Sequence, residues 1–76
     1  PMFVANGVHV ASARQFAEDC HELTLEDGSG RMKAVVWPSA ASLLPLLRES
    51  RSDVLFQVEP DRFDGARVVI ADARPA

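Results

Sequence analysis

The sequence predicts an all-β chain: five short strands closed into a small Greek-key barrel, with one short helix between the third and fourth strands. Three observations carry this. Apolar and polar residues alternate with period two in five separate stretches, the pattern of half-buried strands. Glycine, proline and acidic residues punctuate the gaps between them. Only the leucine-rich stretch after Trp37 departs from period two.

In Gly7–Arg14 (GVHVASAR), Val8, Val10 and Ser12 share one face, and His9, Ala11 and Ala13 the other. Gln15–Cys20 reads as a loop turning at Glu18–Asp19. His21–Asp27 (HELTLED) points Leu23 and Leu25 inward and Glu22, Thr24 and Glu26 outward. Asp27–Gly30 is a hairpin loop in which Gly28 and Gly30 supply positive φ. Arg31–Trp37 is the third strand, and Pro38, with no N–H for the ladder, stops it.

Ser39 offers a helix cap, and Leu43, Leu44, Leu46 and Leu47 give that helix an apolar side. Proline in a helix interior costs about 3 kcal/mol or more, so the helix is short and restarts with Pro45 in its first turn. Asp53–Glu59 (DVLFQVE) points Val54, Phe56 and Val58 inward. Pro60–Gly65 is a turn, and Ala66–Ala73 is the last strand, with Val68 and Ile70 inward. The expected core is therefore Val8, Val10, Leu23, Leu25, Val54, Phe56, Val58, Val68 and Ile70. The order β-β-β-α-β-β is that of a barrel of the OB type. An SH3-like barrel is the competitor, and the position of the helix favours OB. Closure also removes exposed strand edges.

At 76 residues the chain is one domain. Such a domain buries only about 60% of its unfolded surface and is marginal without staples. Cys20 is the single cysteine, so no internal disulfide can form, and nothing has zinc-ligand spacing. The domain is expected to lean on a neighbour. Pro1 at the start and Ala-Arg-Pro-Ala at the end look like cuts at the edges of a compact unit, so residues 1–76 read as one OB domain excised from a larger protein.

The net charge is −3, from 8 basic and 11 acidic residues, which is not the balance of a free-standing nucleic-acid binder. The distribution of charge can still outweigh its sum. No apolar run approaches the roughly 18–20 residues of a membrane span, and the first residues lack the basic flank and apolar run that mark a signal peptide. An unpaired cysteine fits a reducing compartment. The expectation is a cytoplasmic protein with no membrane partner.

Several motifs, in order, resemble a known family. PMFVANGVHVASAR is similar to the lead-in of the C-terminal OB domain of RecJ, the bacterial single-strand-specific 5′–3′ DNA exonuclease of the DHH phosphoesterase superfamily. A His-x-Leu-x-Leu strand follows (His21–Leu25), then an Asp-Gly loop and a strand ending Ala-Val-Val-Trp (Ala34–Trp37). VLFQVEPDRFDGARVVIADARP resembles the family's last hairpin, with its aromatic-x-Gly turn and Asp-x-Arg-Pro ending. The resemblance covers essentially the whole chain. Trp37 stands where the family usually has Phe, and Asp64 where a polar or basic residue is common. LEDGSGRMKAVVWP is also similar to the OB domain of bacterial replicative DNA polymerase α subunits. The RecJ resemblance implies a single-stranded-DNA-binding module of a hydrolase of DNA repair and recombination. The Mn²⁺- or Mg²⁺-binding aspartates and histidines of that family are not in this segment, so the segment is expected to have no cofactor and no nuclease activity of its own.

OB folds bind on the face of strands two and three, framed by the 1–2 and 4–5 loops. There, cations follow phosphates and aromatic rings stack on bases. The candidate nucleic-acid-binding residues are Arg31, Lys33, Trp37, Arg62, Phe63 and Arg67. Arg31, Lys33 and Trp37 share strand parity; Arg62 and Phe63 occupy the 4–5 turn; Arg67 begins strand five; Arg14 ends strand one. Each cation has an alternative reading as part of a solvated outer face. Trp37 is either a stacking platform or, rotated by a bulge before Pro38, core beneath the helix. Phe63 either stacks on a base or contacts a neighbouring domain.

His9 and His21 are isolated, and Cys20–His21 lacks ligand spacing. Asp27, Asp61, Asp64 and Asp72 form no paired-carboxylate pattern, Gly28–Gly30 is only a hairpin loop, and no nucleophile–base pair stands out. The expectation is a binding module with two partners: single-stranded DNA, held weakly by the domain alone, and the catalytic domains of its own parent chain. The alternative is a structural module packing on a catalytic domain of a RecJ-like or replicative polymerase α-like enzyme.

Overall fold

In a computed structural model, which describes residues 1–63 and 65–76, the alternating stretches form β1 (Phe3–Ala17), β2 (Cys20–Glu26), β3 (Arg31–Val36), β4 (Ser52–Asp61) and β5 (Gly65–Pro75). A 3₁₀ helix (Pro38–Leu43) and helix α1 (Leu44–Glu49) lie between β3 and β4. The strands close as β1-β2-β3-β5-β4, with β4 returning to β1. Every pairing is antiparallel except the short β3–β5 seam, where Ala34 meets Val68 and Val35 meets Val69. This is the OB-type barrel the element order predicts. No helix among the described residues is long and apolar enough to cross a membrane.

β1 is longer than its alternation indicated, because it serves two partners. Residues 3–8 pair with β4, and residues 9–17 with β2. Gly7, at φ +63°, sits in the irregularity between Ala5 and Val8 where the strand changes partner. Its N–H donates to Asp53 Oδ1 (3.0 Å), and its carbonyl accepts from Arg51 Nη1 (2.8 Å). A second irregularity separates Val10 from Ser12. An extra residue reverses which side chains face inward. Val8 and Val10 therefore face the interior, but beyond the bulge Ala13 packs on the core while Ser12 is exposed. The expected loop at Gln15–Cys20 shrinks to the Glu18–Asp19 turn, with Asp19 at φ +56°.

The β2–β3 hairpin turns at Asp27–Gly30 as expected, but only Gly28 of its two glycines has positive φ (+94°). Ser39 does not cap the helix. Pro38 takes the first helical position and forces the residue before it into extended backbone. Trp37 (ψ 164°) therefore becomes the flanking residue, and its carbonyl accepts from Ala40 N–H at 2.9 Å. Pro45 lies in the first turn of α1, and Leu47 is buried.

The interior is built from Val8, Leu23, Leu25, Ala34, Val36, Ala40, Leu47, Val54 and Ile70. Val10, Phe56 and Val68 pack on it half-buried. Val58 is the error in the expected core: it is 50% exposed. The β1–β4 ladder begins at Phe3–Phe56, so β1 does not reach alongside Val58.

Candidate functional site

Two of the buried valines do not belong to the interior. Val35 and Val69 alternate with the inward Ala34, Val36, Val68 and Ile70, and they meet across the β3–β5 seam. They therefore lie on the outer face of the barrel. Around this seam is a groove of about 300 Å³ lined by Arg14, Phe16, Glu22, Lys33, Asp61 and Arg67, with Val35 among the apolar residues beneath.

Along the groove runs a ladder of cations and rings. The Arg14 guanidinium lies 5.8 Å from the Phe16 ring centre. Phe16 meets Trp37 edge-on, with centroids 6.1 Å apart and planes at 68°. Arg67 lies over the other ring of the pair, its Cζ 5.0 Å from the Trp37 centre. The ladder joins the end of β1, the residue before Pro38 and the start of β5. Trp37 is half-buried and Phe16 is 42% exposed. Trp37 thus stands with the cations on the outer face and not in the interior cluster beneath the helix.

The charges of the groove are not all free. Glu22 accepts from Arg14 Nε at 3.1 Å. Asp61 Oδ1 accepts the Phe63 N–H at 3.0 Å. Lys33 is exposed and has no ion pair among the described residues. Arg67 Nε is buried and has no hydrogen-bond partner among them. Among the described residues three cations face two carboxylates here, a local balance opposite in sign to the chain's net charge of −3. A surface with ring faces, unpaired donors and local positive charge suits a flat ligand carrying anionic groups.

The six residues singled out from sequence divide. Lys33 and Arg67 line the groove together, and Trp37 joins them through its contact with Arg67. Arg31 does not join them: its Nε donates to Glu26 Oε2 at 2.8 Å, while Glu26 Oε1 meets His9 Nε2 at 3.0 Å. Arg31 instead lines separate hollows beside the β2–β3 turn. Arg62 and Phe63 lie in the β4–β5 turn, outside the groove lining, with Phe63 87% exposed. Asp64, weighed above both in that turn and among the carboxylates, lies outside the described residues.

Arg14 and Phe16 are the members that sequence reading left out of the set. Phe16 lies in Gln15–Cys20, which the sequence predicts as a loop with no face assigned. Its one sequence signal is a spacing of two from Arg14, and the ladder is irregular there, between Gln15 and Ala17.

One carboxyl elsewhere is perturbed. Asp27, in the β2–β3 turn, is held below its ordinary value by hydrogen bonds from the Ser29 hydroxyl and the Ser29 N–H. Among the described residues, no group of three or more His, Cys, Asp or Glu side chains could hold a metal ion. Comparison with protein-family models and with curated proteins found no match to the chain.

Proposed function

We propose that the chain is a single-stranded-DNA-binding OB module of a RecJ-like exonuclease, guiding substrate toward a catalytic site elsewhere in the parent. The observation that carries this reading is the convergence of Phe16, Lys33 and Arg67 in one groove on the outer face of the barrel, with Trp37 packed against Phe16 and Arg67 at its edge. Lys33 and Arg67 neutralise phosphates, and the rings stack on bases at about 1–3 kcal/mol each. Cation–π contact to an exposed ring is worth about 0.5–1 kcal/mol, so a base competes well for a ring already faced by an arginine. The acidic balance of the whole chain opposes long-range attraction. The domain alone therefore binds weakly, on the order of 10⁻⁴–10⁻⁶ M as for non-specific contacts. Metal-dependent chemistry and any Mn²⁺ or Mg²⁺ belong to the parent's other domains. A reducing, cytoplasmic setting is part of the same reading.

The test is titration of a labelled dT oligomer at low salt against the chain and a Lys33→Ala/Arg67→Ala variant. Single-strand binding loses about 0.7 of salt slope per phosphate contact removed, so the variant's slope falls by about 1.4. Equal affinity with an equal slope removes the groove as the grip.

A second reading draws on a different surface. Met2, Phe3, Val4 and Val58 are all exposed at 46% or more. Phe3 stacks on Phe56 at 5.6 Å near the end of the β1–β4 ladder. Exposed apolar side chains of this kind fit packing against a catalytic domain, of RecJ or of a polymerase α-like enzyme. A domain that binds no oligomer, and whose melting temperature rises on mixing with such a catalytic domain, supports this alternative.

A further inference from the structure

Trp37 is the only tryptophan of the chain, and one face of its ring is already occupied. The Arg67 guanidinium lies 5.0 Å from the ring centre. In that position Arg67 Nε is buried and has no hydrogen-bond partner among the described residues. A buried N–H without an acceptor is unfavourable, and more so on a charged group. The free chain therefore holds Arg67 in a position that covers the ring and leaves Nε without an acceptor among the described residues. Lys33, on the neighbouring strand, has no ion pair among the described residues to hold it back from an incoming anion.

We propose that Arg67 is a displaceable cover for Trp37: an unstacked nucleobase takes its place on the ring, and its guanidinium passes to the phosphate beside that base. This rests on the single-strand reading above and deepens it, by naming the residue that couples base stacking to phosphate contact. The exchange is physically balanced. The ring gives up a cation–π contact and gains a base stack of at least equal worth. The guanidinium gives up the ring and gains charge-assisted hydrogen bonds to an oxyanion. The geometry favours ligands that present both parts together. A bare phosphate chain has no base with which to displace Arg67, and a free nucleobase has no phosphate to receive it.

Two readouts on the same samples separate the steps. Fluorescence anisotropy of a labelled dT oligomer reports binding, and Trp37 emission reports what covers the ring. The dT oligomer is expected to quench Trp37. An abasic deoxyribose-phosphate oligomer of equal length is expected to bind more weakly and to leave the emission unchanged. In Arg67→Ala the dT quench persists, because the ring is open, while the salt slope falls by about 0.7, the value of one single-strand phosphate contact. Arg67→Lys keeps the charge but covers the ring poorly; it keeps the wild-type slope and the quench. This variant also controls for misfolding of the alanine form.

A wild type that binds dT with no change in Trp37 emission overturns the proposal and leaves the single-strand reading standing. So does an Arg67→Ala variant that keeps the full salt slope. No change in anisotropy with either oligomer at low salt overturns both.

Discussion

Arg31 and Lys33 are two residues apart on the same strand, with the same parity, on the same outer face of the barrel, yet their surroundings are opposite. Arg31 sits directly across the ladder from Glu26, and its Nε lies 2.8 Å from that carboxylate. Lys33 sits across from Thr24 and has no ion pair among the described residues. One end of the β2–β3 hairpin is thus an internally neutralised hub of His9, Glu26 and Arg31. The other end opens onto the groove lined by Phe16 and Arg67, both of which touch Trp37. Parity decides which way a side chain points. Register decides whether its charge is still available, because the directly opposite residue is the nearest cross-strand neighbour.

The largest break in this comparison comes from the ring. Trp37→Ala removes the stacking surface, and the affinity for a dT oligomer should fall by the equivalent of about 1–3 kcal/mol. Arg31→Ala, at the neutralised end, should change the same affinity less than about twofold, since an exposed ion pair is worth little and its charge is already matched. Paired titrations under one salt condition measure both. A larger loss from Arg31→Ala than from Trp37→Ala would reverse the assignment of the two ends.

A smaller effect comes from exchanging the cross-strand partners. Thr24→Glu gives Lys33 the acidic neighbour that Arg31 has, while Glu26→Gln removes it from Arg31. The first should lower the salt slope of single-strand binding by about 0.7, and the second should raise it by a similar amount. If neither change moves the slope, cross-strand pairing is not what sets the availability of these cations.

How much of this was legible in the sequence follows from what each feature depends on. The barrel and the helix position were readable, because alternation and breakers are local properties of β2, β3, β4 and β5. The inward turn of Ala13 was not, because the bulge between Val10 and Ser12 depends on how β1 is shared between two partners. Val58 was misread for a related reason: alternation continues along β4 past the point where β1 stops covering it. At the groove, Lys33, Trp37 and Arg67 were visible as residue types on strands that OB folds use. The neutralisation of Arg31 needed the register with Glu26, and Phe16 needed the true length of β1. In each case the missing information was a pairing partner, which no single stretch contains.

The smallest effect tests the neutralised end by acid. Asp27 closes the turn beside Glu26 and Arg31, and Ser29 donates to its Oδ1 from the hydroxyl at 2.7 Å and from the N–H at 2.9 Å. These bonds favour the ionised form, so the folded carboxyl lies below its ordinary value of 3.8. The unfolded chain then binds the proton more readily than the folded one. The contribution of Asp27 is accordingly fully present above about pH 3.8 and is lost as the pH falls through the lower, folded value. The group is exposed, so the effect is small. Thermal melts of the wild type and of Ser29→Ala, compared between pH 6 and pH 2, isolate it. The wild type should be slightly the more stable at pH 6, and the difference should narrow toward pH 2. Arg67 and Lys33 lie away from this turn, so oligomer binding by Ser29→Ala at neutral pH should match the wild type. A difference in melting that grows on acidification would mean that Ser29 supports the turn through the protonated form of Asp27, with the sign of the linkage reversed.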